Sequence, residues 1–446
     1  MRGMLAIVWI MAAAPAFAQD ESALHAEFRR EGQKVRESCG KGLKGVGSCA
    51  VTLATEHPLH VAFGSLAPKS GFGVGAALVG HHTPNRNWRL TWNGDGVASP
   101  GGSWRTGAYV TFVRTAVKAP IVISSGAPAT VRADDSGEYP MFTVFTQATS
   151  LNELRFFGLG PNSSRSAESV WGLKETLIGG NALVPVRSGP LGLSVLGGVT
   201  ARLIDVRSVS GPLPSAGSQP TFTQFTGGVR LRPSLFGGHL QPTYTLSGDA
   251  LVASSDAVAS FSRWTLDLAH VIPFYRTGRP GTSVNGPDGC GQSVDSAECP
   301  SVSRDRDGGI TLRVLTIAST PRSGGAVPFY LQPTLGGSDI NGTKLLGGFD
   351  DYRFRGPNLI ALQESIDHSL WRFLGVFAMA EQGKVALGRA DLNLSGLVRS
   401  YTAGLTVRAG GFPQLYLLYG WGNEGHHIGA TVNSSLLGGS ARPSLF

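Results

Sequence analysis

The sequence predicts an all-β protein, a transmembrane antiparallel β-barrel of about sixteen strands with a short N-terminal extension, and three observations predict it. Apolar residues recur at every second position, for example Leu191, Leu193, Val195, Val199 and Leu203 against Gly192, Ser194, Gly198, Thr200 and Arg202. Period two is the signature of a strand with two unlike faces. The non-apolar face carries charges at Arg89, Arg202, Arg230, Asp267, Arg313 and Arg408, which suits a wet lumen. After the first twenty residues no run of 18 apolar residues occurs, so helical membrane spans are excluded. Glycine, at 62 of 446 residues, is about twice its average usage and favours strands and turns over helices.

The N-terminus sets the compartment. Arg2 precedes an apolar run from Met4 to Ala14, and the segment closes with Ala16, Phe17 and Ala18. This reads as a signal peptide over 1–18, cleaved after Ala18 and too short in its core to span a membrane. Residues 19–57 form a short periplasmic segment in which Glu21 to Val35 suits a charged helix, and 58–446 form the barrel. The chain has 38 basic and 30 acidic residues, a net of +8, and loss of Arg2 leaves +7. The charges are scattered without a basic patch, so nucleic acid is not an expected partner. Cys39 with Cys49 and Cys290 with Cys299 form two local pairs, and in an oxidising space two short disulfide loops are the natural reading, although four cysteines allow three connectivities.

Along the barrel region the alternation recurs at Phe72 to Leu78, Trp88 to Trp92, Trp264 to Leu268, Ile310 to Val314 and Tyr401 to Val407. A soluble sandwich shares this alternation, but the charged opposite face separates the two. The 436 − 58 = 378 residues from Leu59 to Leu436, divided among sixteen strands, leave about 24 for each strand and its connection, enough to span a bilayer. Turn clusters are expected at Asn93-Gly94-Asp95-Gly96 and Gly336-Gly337-Ser338-Asp339, and an external loop from Thr277 to Gly309. Trp88, Trp92, Trp171, Trp264, Trp371 and Trp421 are expected to form interfacial girdles.

No catalytic centre, cofactor or metal site is expected. A G-x-S-x-G elbow is missing. Gly71-Phe72-Gly73-Val74-Gly75 falls in an alternating segment, where glycine relieves crowding more readily than it cradles phosphate. Adjacent histidines at His81-His82 and His426-His427 point to opposite faces of a strand. Asp305-Arg306-Asp307-Gly308 lacks the later glutamate of a calcium loop and reads as a turn.

In the C-terminal quarter, Leu346-Gly347-Gly348-Phe349-Asp350-Asp351-Tyr352-Arg353-Phe354-Arg355-Gly356 is followed by Asn358 to Leu362, Leu370-Trp371 and Leu374 to Phe377. Asp391 to Leu394, Ala403 to Arg408 and Tyr419 to Gly425 come next, and Arg155 to Ser164 lies upstream. These stretches resemble the barrel of the bacterial surface antigen family, the BamA/TamA-type outer-membrane proteins, best over 336–436. The resemblance implies a sixteen-stranded barrel in the cell outer membrane whose longest loop folds into the lumen and sets an Arg-Gly-aromatic tip against the inner wall. Gly348 and Phe349 match the glycine and aromatic, whereas Gly347 stands where the family generally has arginine. Arg353 and Arg355 lie nearby, either as substitutes or as plain lining of a polar wall. The family's periplasmic repeats have no room in 19–57. The resemblance implies a barrel surrounded by outer-membrane lipid that aids insertion or translocation of unfolded outer-membrane or secreted polypeptides. A passive pore or structural barrel is the alternative, and a barrel-embedded hydrolase the third reading.

Overall fold

Alternating apolar and polar residues commit the chain to strands. In a computed structural model these are β1 (Leu59–Ser65), β2 (Phe72–Asn85), β3 (Trp88–Ala98), β4 (Trp104–Arg114), β5 (Met141–Phe156), β6 (Ser169–Pro185), β7 (Leu193–Ser210), β8 (Phe222–Leu231) and β9 (Gln241–Ala253). They continue as β10 (Phe261–Ser283), β11 (Cys299–Pro321), the short β12 (Thr334–Leu335) and β13 (Phe354–Arg355), then β14 (Asn358–Trp371), β15 (Leu374–Ala386), β16 (Val398–Ala409), β17 (Phe412–Gly422) and β18 (Gly425–Val432). The structure describes residues 36, 59–85, 87–114, 140–186, 191–214, 219–233, 235–236, 239–283, 299–341, 343–371, 373–409 and 412–432. The chain divides into two compact units, Met1–Pro58 and Leu59–Phe446. The expected signal peptide, the helix over Glu21 to Val35, and Cys39, Cys49 and Cys290 lie outside the described residues, as does the side chain of Cys299.

Sixteen strands form one antiparallel sheet in chain order, interrupted only where β12 and β13 pair with each other in an insert between β11 and β14. The first and last strands return alongside one another, with Cα atoms of β1 and β18 within 8 Å. The sheet is therefore a barrel, the arrangement that removes exposed edges. An even number of consecutive antiparallel strands puts the start of β1 and the end of β18 at one rim. The insert leaves from the opposite rim.

Burial is inverted relative to a soluble sandwich. Val195, Val199, Leu203, Phe225, Val229, Leu246, Val252 and Trp264 are exposed. Their neighbours Ser194, Arg202, Gln224, Asp249 and Arg263 on the other face are buried. An apolar outer band around a polar inside is what a bilayer requires, because lipid cannot solvate charge and a closed ladder satisfies every backbone group. Many of the inward polar groups pair with one another. Arg202 donates to Glu175 Oε1 through Nη2 at 2.8 Å and to Gln224 Oε1 through Nη1 at 2.8 Å. Gln224 then donates to Asp249 at 2.9 Å. Arg105 meets Asp95 at 2.8 Å, Arg313 forks onto Asp267 at 2.8 and 2.9 Å, and Arg408 reaches Asp367 at 2.6 Å.

Four expectations are corrected. Asn93 to Gly96 lies inside β3 and makes no turn, since Asp95 faces inward to Arg105 while the glycines let strands come close. A Cβ on Gly75 would stand 1.8 Å from the Gly96 carbonyl oxygen across the β2–β3 pair. Residues Thr277 to Ser283 and Cys299 to Gly309 extend the β10–β11 hairpin, with Arg276 opposite Asp307 and Gly278 opposite Arg304. A ladder satisfies the backbone of a polar hairpin as well as of an apolar one, so Asp305 to Gly308 is strand too. Trp171 is not interfacial: it is 1% exposed and packed inside, whereas Trp88, Trp264, Trp371 and Trp421 are exposed.

Candidate functional site

The insert between Pro321 and Asn358 holds the residues singled out in sequence. Its neck is the β12–β13 pair, Thr334 opposite Arg355 and Leu335 opposite Phe354. Beyond the neck Gly336 (φ +107°) and Gly337 (φ +58°) turn the chain as only glycine readily does. Gly337 comes so close to Asp351 that a Cβ would stand 2.2 Å from its Oδ1. That carboxylate accepts from the Ser338 N–H at 2.9 Å, and Asp339 Oδ1 accepts from the N–H groups of Asn341 (2.9 Å) and Thr343 (2.7 Å). The short carboxylates fold the tip onto itself.

The tip seats on the inner faces of β15, β16 and β17. Gly347 N–H donates to Glu381 Oε2 at 2.7 Å and Gly348 N–H to Ser400 Oγ at 2.6 Å. Glu381 is 2% exposed, and its other oxygen accepts from Gln363 Nε2 at 2.8 Å. A Cβ on Gly348 would lie 2.3 Å from the Trp421 carbonyl carbon, and one on Gly347 2.5 Å from Thr402 Oγ1. Phe349 is buried edge-on against Phe354, 5.4 Å between centroids, among Leu315, Leu335, Leu359 and Val385. Glu381 thus takes main-chain and amide donors at the position where the resemblance implied a guanidinium.

The arginines go elsewhere. Arg353, 3% exposed, forks onto Glu424 with Nε to Oε2 and Nη2 to Oε1, both 2.7 Å. It also donates to Ser163 Oγ (2.9 Å) and the Ser163 carbonyl (2.7 Å), and stacks over Phe354 at 4.5 Å and Phe157 at 5.4 Å. Arg355, in β13, donates to the carbonyls of Phe329 (2.9 Å) and Gln332 (3.3 Å) and lies over Trp171 at 5.5 Å. Desolvation holds its guanidinium down at about 10. Both arginines belong to the insert and neither lines the barrel wall.

The insert fills the lumen at its rim. Val327, Phe329, Tyr330, Leu331, Ile340 and Tyr352 form one apolar cluster with inward residues of strands from β1 to β10, including Ala62, Val97, Phe156, Trp171, Ile204, Phe222 and Phe261. Burial raises the hydroxyl of Tyr330 to about 12. The Tyr352 hydroxyl goes well above its usual 10.0, from burial first and then from Asp351 and Asp339. Among the described residues no cluster of His, Cys, Asp and Glu suits a metal. His426 stacks on Tyr419 at 5.9 Å on the outer face, and the side chains of His81 and His82 lie outside the described residues. Gly347 and Gly348 stand at the seat, and their partners Glu381 and Ser400, like the Arg353 partners Ser163 and Glu424, were not read from the sequence as partners. Only their inward parity on β15 and β16, or their place in a turn, could have suggested them.

These features define a class: a transmembrane antiparallel β-barrel stoppered by its own insert. No family model and no curated protein matches the chain. Among solved structures it is similar to CdiB from Escherichia coli (15% identity, TM-score 0.49, 84% of this chain and 62% of that one). It is similar also to BamA from Haemophilus ducreyi lacking POTRA domains 1-3 (12%, TM-score 0.48, 84% and 70%). CdiB from Acinetobacter baumannii matches at 13% identity with TM-score 0.47, over 81% of this chain and 55% of that one. The chain thus spans less than two thirds of either CdiB.

Proposed function

We infer that the chain is an outer-membrane barrel that aids insertion or translocation of polypeptides, with unfolded outer-membrane or secreted chains as its clients and outer-membrane lipid around it. The observation that carries this reading is the insert itself, seated through Gly347 on Glu381 and Gly348 on Ser400 while its apolar side stoppers the lumen. A standing pore needs a continuous aqueous path, and an apolar stopper spread over inward residues of β1 to β10 opposes one. The resemblance of 336–436 to BamA/TamA-type barrels supplies the assembly role. Export by a signal peptide cleaved after Ala18, and local disulfides within Cys39–Cys49 and Cys290–Cys299, belong to the same reading, as does the lack of a catalytic centre.

The test is reconstitution in liposomes with a second, unfolded outer-membrane barrel. The folded protein, recognised by heat-modifiable gel mobility, accelerates insertion of the second barrel. Folded protein that leaves the insertion rate at that of empty liposomes returns the chain to the structural-barrel reading. Labelling by an active-site serine probe would reopen the hydrolase reading.

A further inference from the structure

The outer face of β14 to β16 carries a polar track. Gln363, Glu381 and Ser400 point into the lumen, where they meet one another and the insert tip, so their neighbours Glu364, Gln382 and Arg399 point outward. All three are exposed. Gln382 stands directly opposite Arg399 across the β15–β16 pair, while Glu364 stands opposite Ala380, two positions before Gln382. Direct neighbours of this kind are about 5 Å apart and diagonal ones about 7–8 Å. Lys384 lies on the same face of β15, opposite Ile360, which places it four positions, about 13 Å along the strand, from Glu364 toward the insert's rim.

The two ends of the track have different surroundings. At the deep end Glu364 is flanked by Leu362 and Ile366 on β14 and faces Leu312 on β11 and Ala380 on β15. Among the described residues no side chain reaches it with a hydrogen bond or ion pair. A carboxylate turned toward acyl chains without a donor is costly and marks a functional position. At the rim end Arg399 makes no such contact either. Lys384 donates to Asn393 Oδ1 (2.7 Å) and to the Ser395 carbonyl (2.9 Å), which leaves one of its three N–H groups. Beside these cations the exposed rings of Tyr401 and Trp421 stack 6.0 Å apart.

An ester-linked phospholipid answers the cations with its phosphate but brings no N–H or O–H to the depth of Glu364. The track fits an amphiphile that has phosphate at its head and donors along its chains. We propose that Glu364, Gln382, Arg399 and Lys384 bind a phosphorylated glycolipid whose acyl chains are amide-linked and hydroxylated. Its phosphate lies on Arg399 and Lys384, which are suited to it by charge and by the guanidinium fork. The chain amide meets Gln382, which both donates and accepts, and the chain hydroxyl donates to Glu364, which only accepts. The sugar lies on Tyr401 and Trp421. This rests on the outer-membrane setting of the reading above and on no client.

The experiment uses the folded full chain in detergent, with folding checked by heat-modifiable mobility and bound lipid counted by native mass spectrometry. The probes are lipid A, which has this chemistry, and phosphatidylglycerol, which is anionic with ester-linked chains. The wild type binds lipid A about tenfold more tightly than phosphatidylglycerol, the worth of one hydrogen bond to a charged group. Arg399→Gln weakens both lipids. Glu364→Leu weakens lipid A about tenfold and leaves phosphatidylglycerol unchanged, and the fold tolerates it because an apolar side chain suits the lipid face. Lys174→Gln, exposed on β6, alters neither affinity. Equal affinity of the wild type for the two lipids overturns the proposal, as does lipid A binding unmoved by Glu364→Leu. A lipid-free dimer that Glu364→Leu dissociates also overturns it, because the carboxylate then serves a second copy. No client enters the assay, so failed lipid A binding and failed polypeptide insertion are separate results.

Discussion

Gly348 lies against Trp421 so closely that a Cβ would stand 2.3 Å from its carbonyl carbon and 2.4 Å from its carbonyl oxygen. Backbone cannot rotate aside as a side chain can, so Gly348→Ala must lift the tip or push β17. The expected cost is about 1–3 kcal/mol, the range for overpacking a filled interior. Limited proteolysis should then cut 336–353 faster. Gly347→Ala meets only the Thr402 hydroxyl, which can turn away, and should cut more slowly than Gly348→Ala.

Glu175 and Arg202 are buried together inside the barrel, 4% and 2% exposed, and joined at 2.8 Å. Removing one partner strands the other charge, so Glu175→Gln or Arg202→Met should each destabilise by about 3–5 kcal/mol in urea unfolding from liposomes. Replacing both with apolar residues should cost much less than the sum of the single changes.

Lys344 on the insert lies near Asp351 and Glu381, yet desolvation outweighs both and lowers its ammonium from 10.5 to about 8. Below about pH 8 both states hold the proton and the folded state bears the full penalty of a desolvated charge. Between about 8 and 10.5 the unfolded chain binds more protons than the folded one, so stability rises with pH there. Lys344→Met should abolish that rise, measured as the urea midpoint across the window.

Arg355 holds the Phe329 and Gln332 carbonyls and covers Trp171. Arg355→Ala leaves the Gln332 carbonyl without the donor it has here, at a cost of about 1–3 kcal/mol, while the Phe329 carbonyl keeps the Gln332 N–H at 3.1 Å. Indole fluorescence should shift to the red as water reaches Trp171.

Strand number and the inverted faces were legible because period two and charge placement are local properties. Arg313 and Asp267 could be placed on the lumen face from parity alone, and they do pair. The insert's partners were not legible. Glu424 meets Arg353, and Ser163 meets it from 190 positions away, through a barrel closure that no sequence spacing encodes. Trp171 misled for a related reason: a tryptophan beside an outward strand residue looks interfacial until the insert covers it. The glycines of Asn93 to Gly96 look like a turn because composition cannot tell a bend from two strands in close approach.

The most direct measurement of the central claim, a barrel stoppered by its own insert, is conductance of the purified protein in planar bilayers. The wild type should be closed at rest, and Gly348→Ala should show brief openings as the tip leaves its seat. A wild type that conducts steadily, with openings unaffected by Gly348→Ala, would contradict the account.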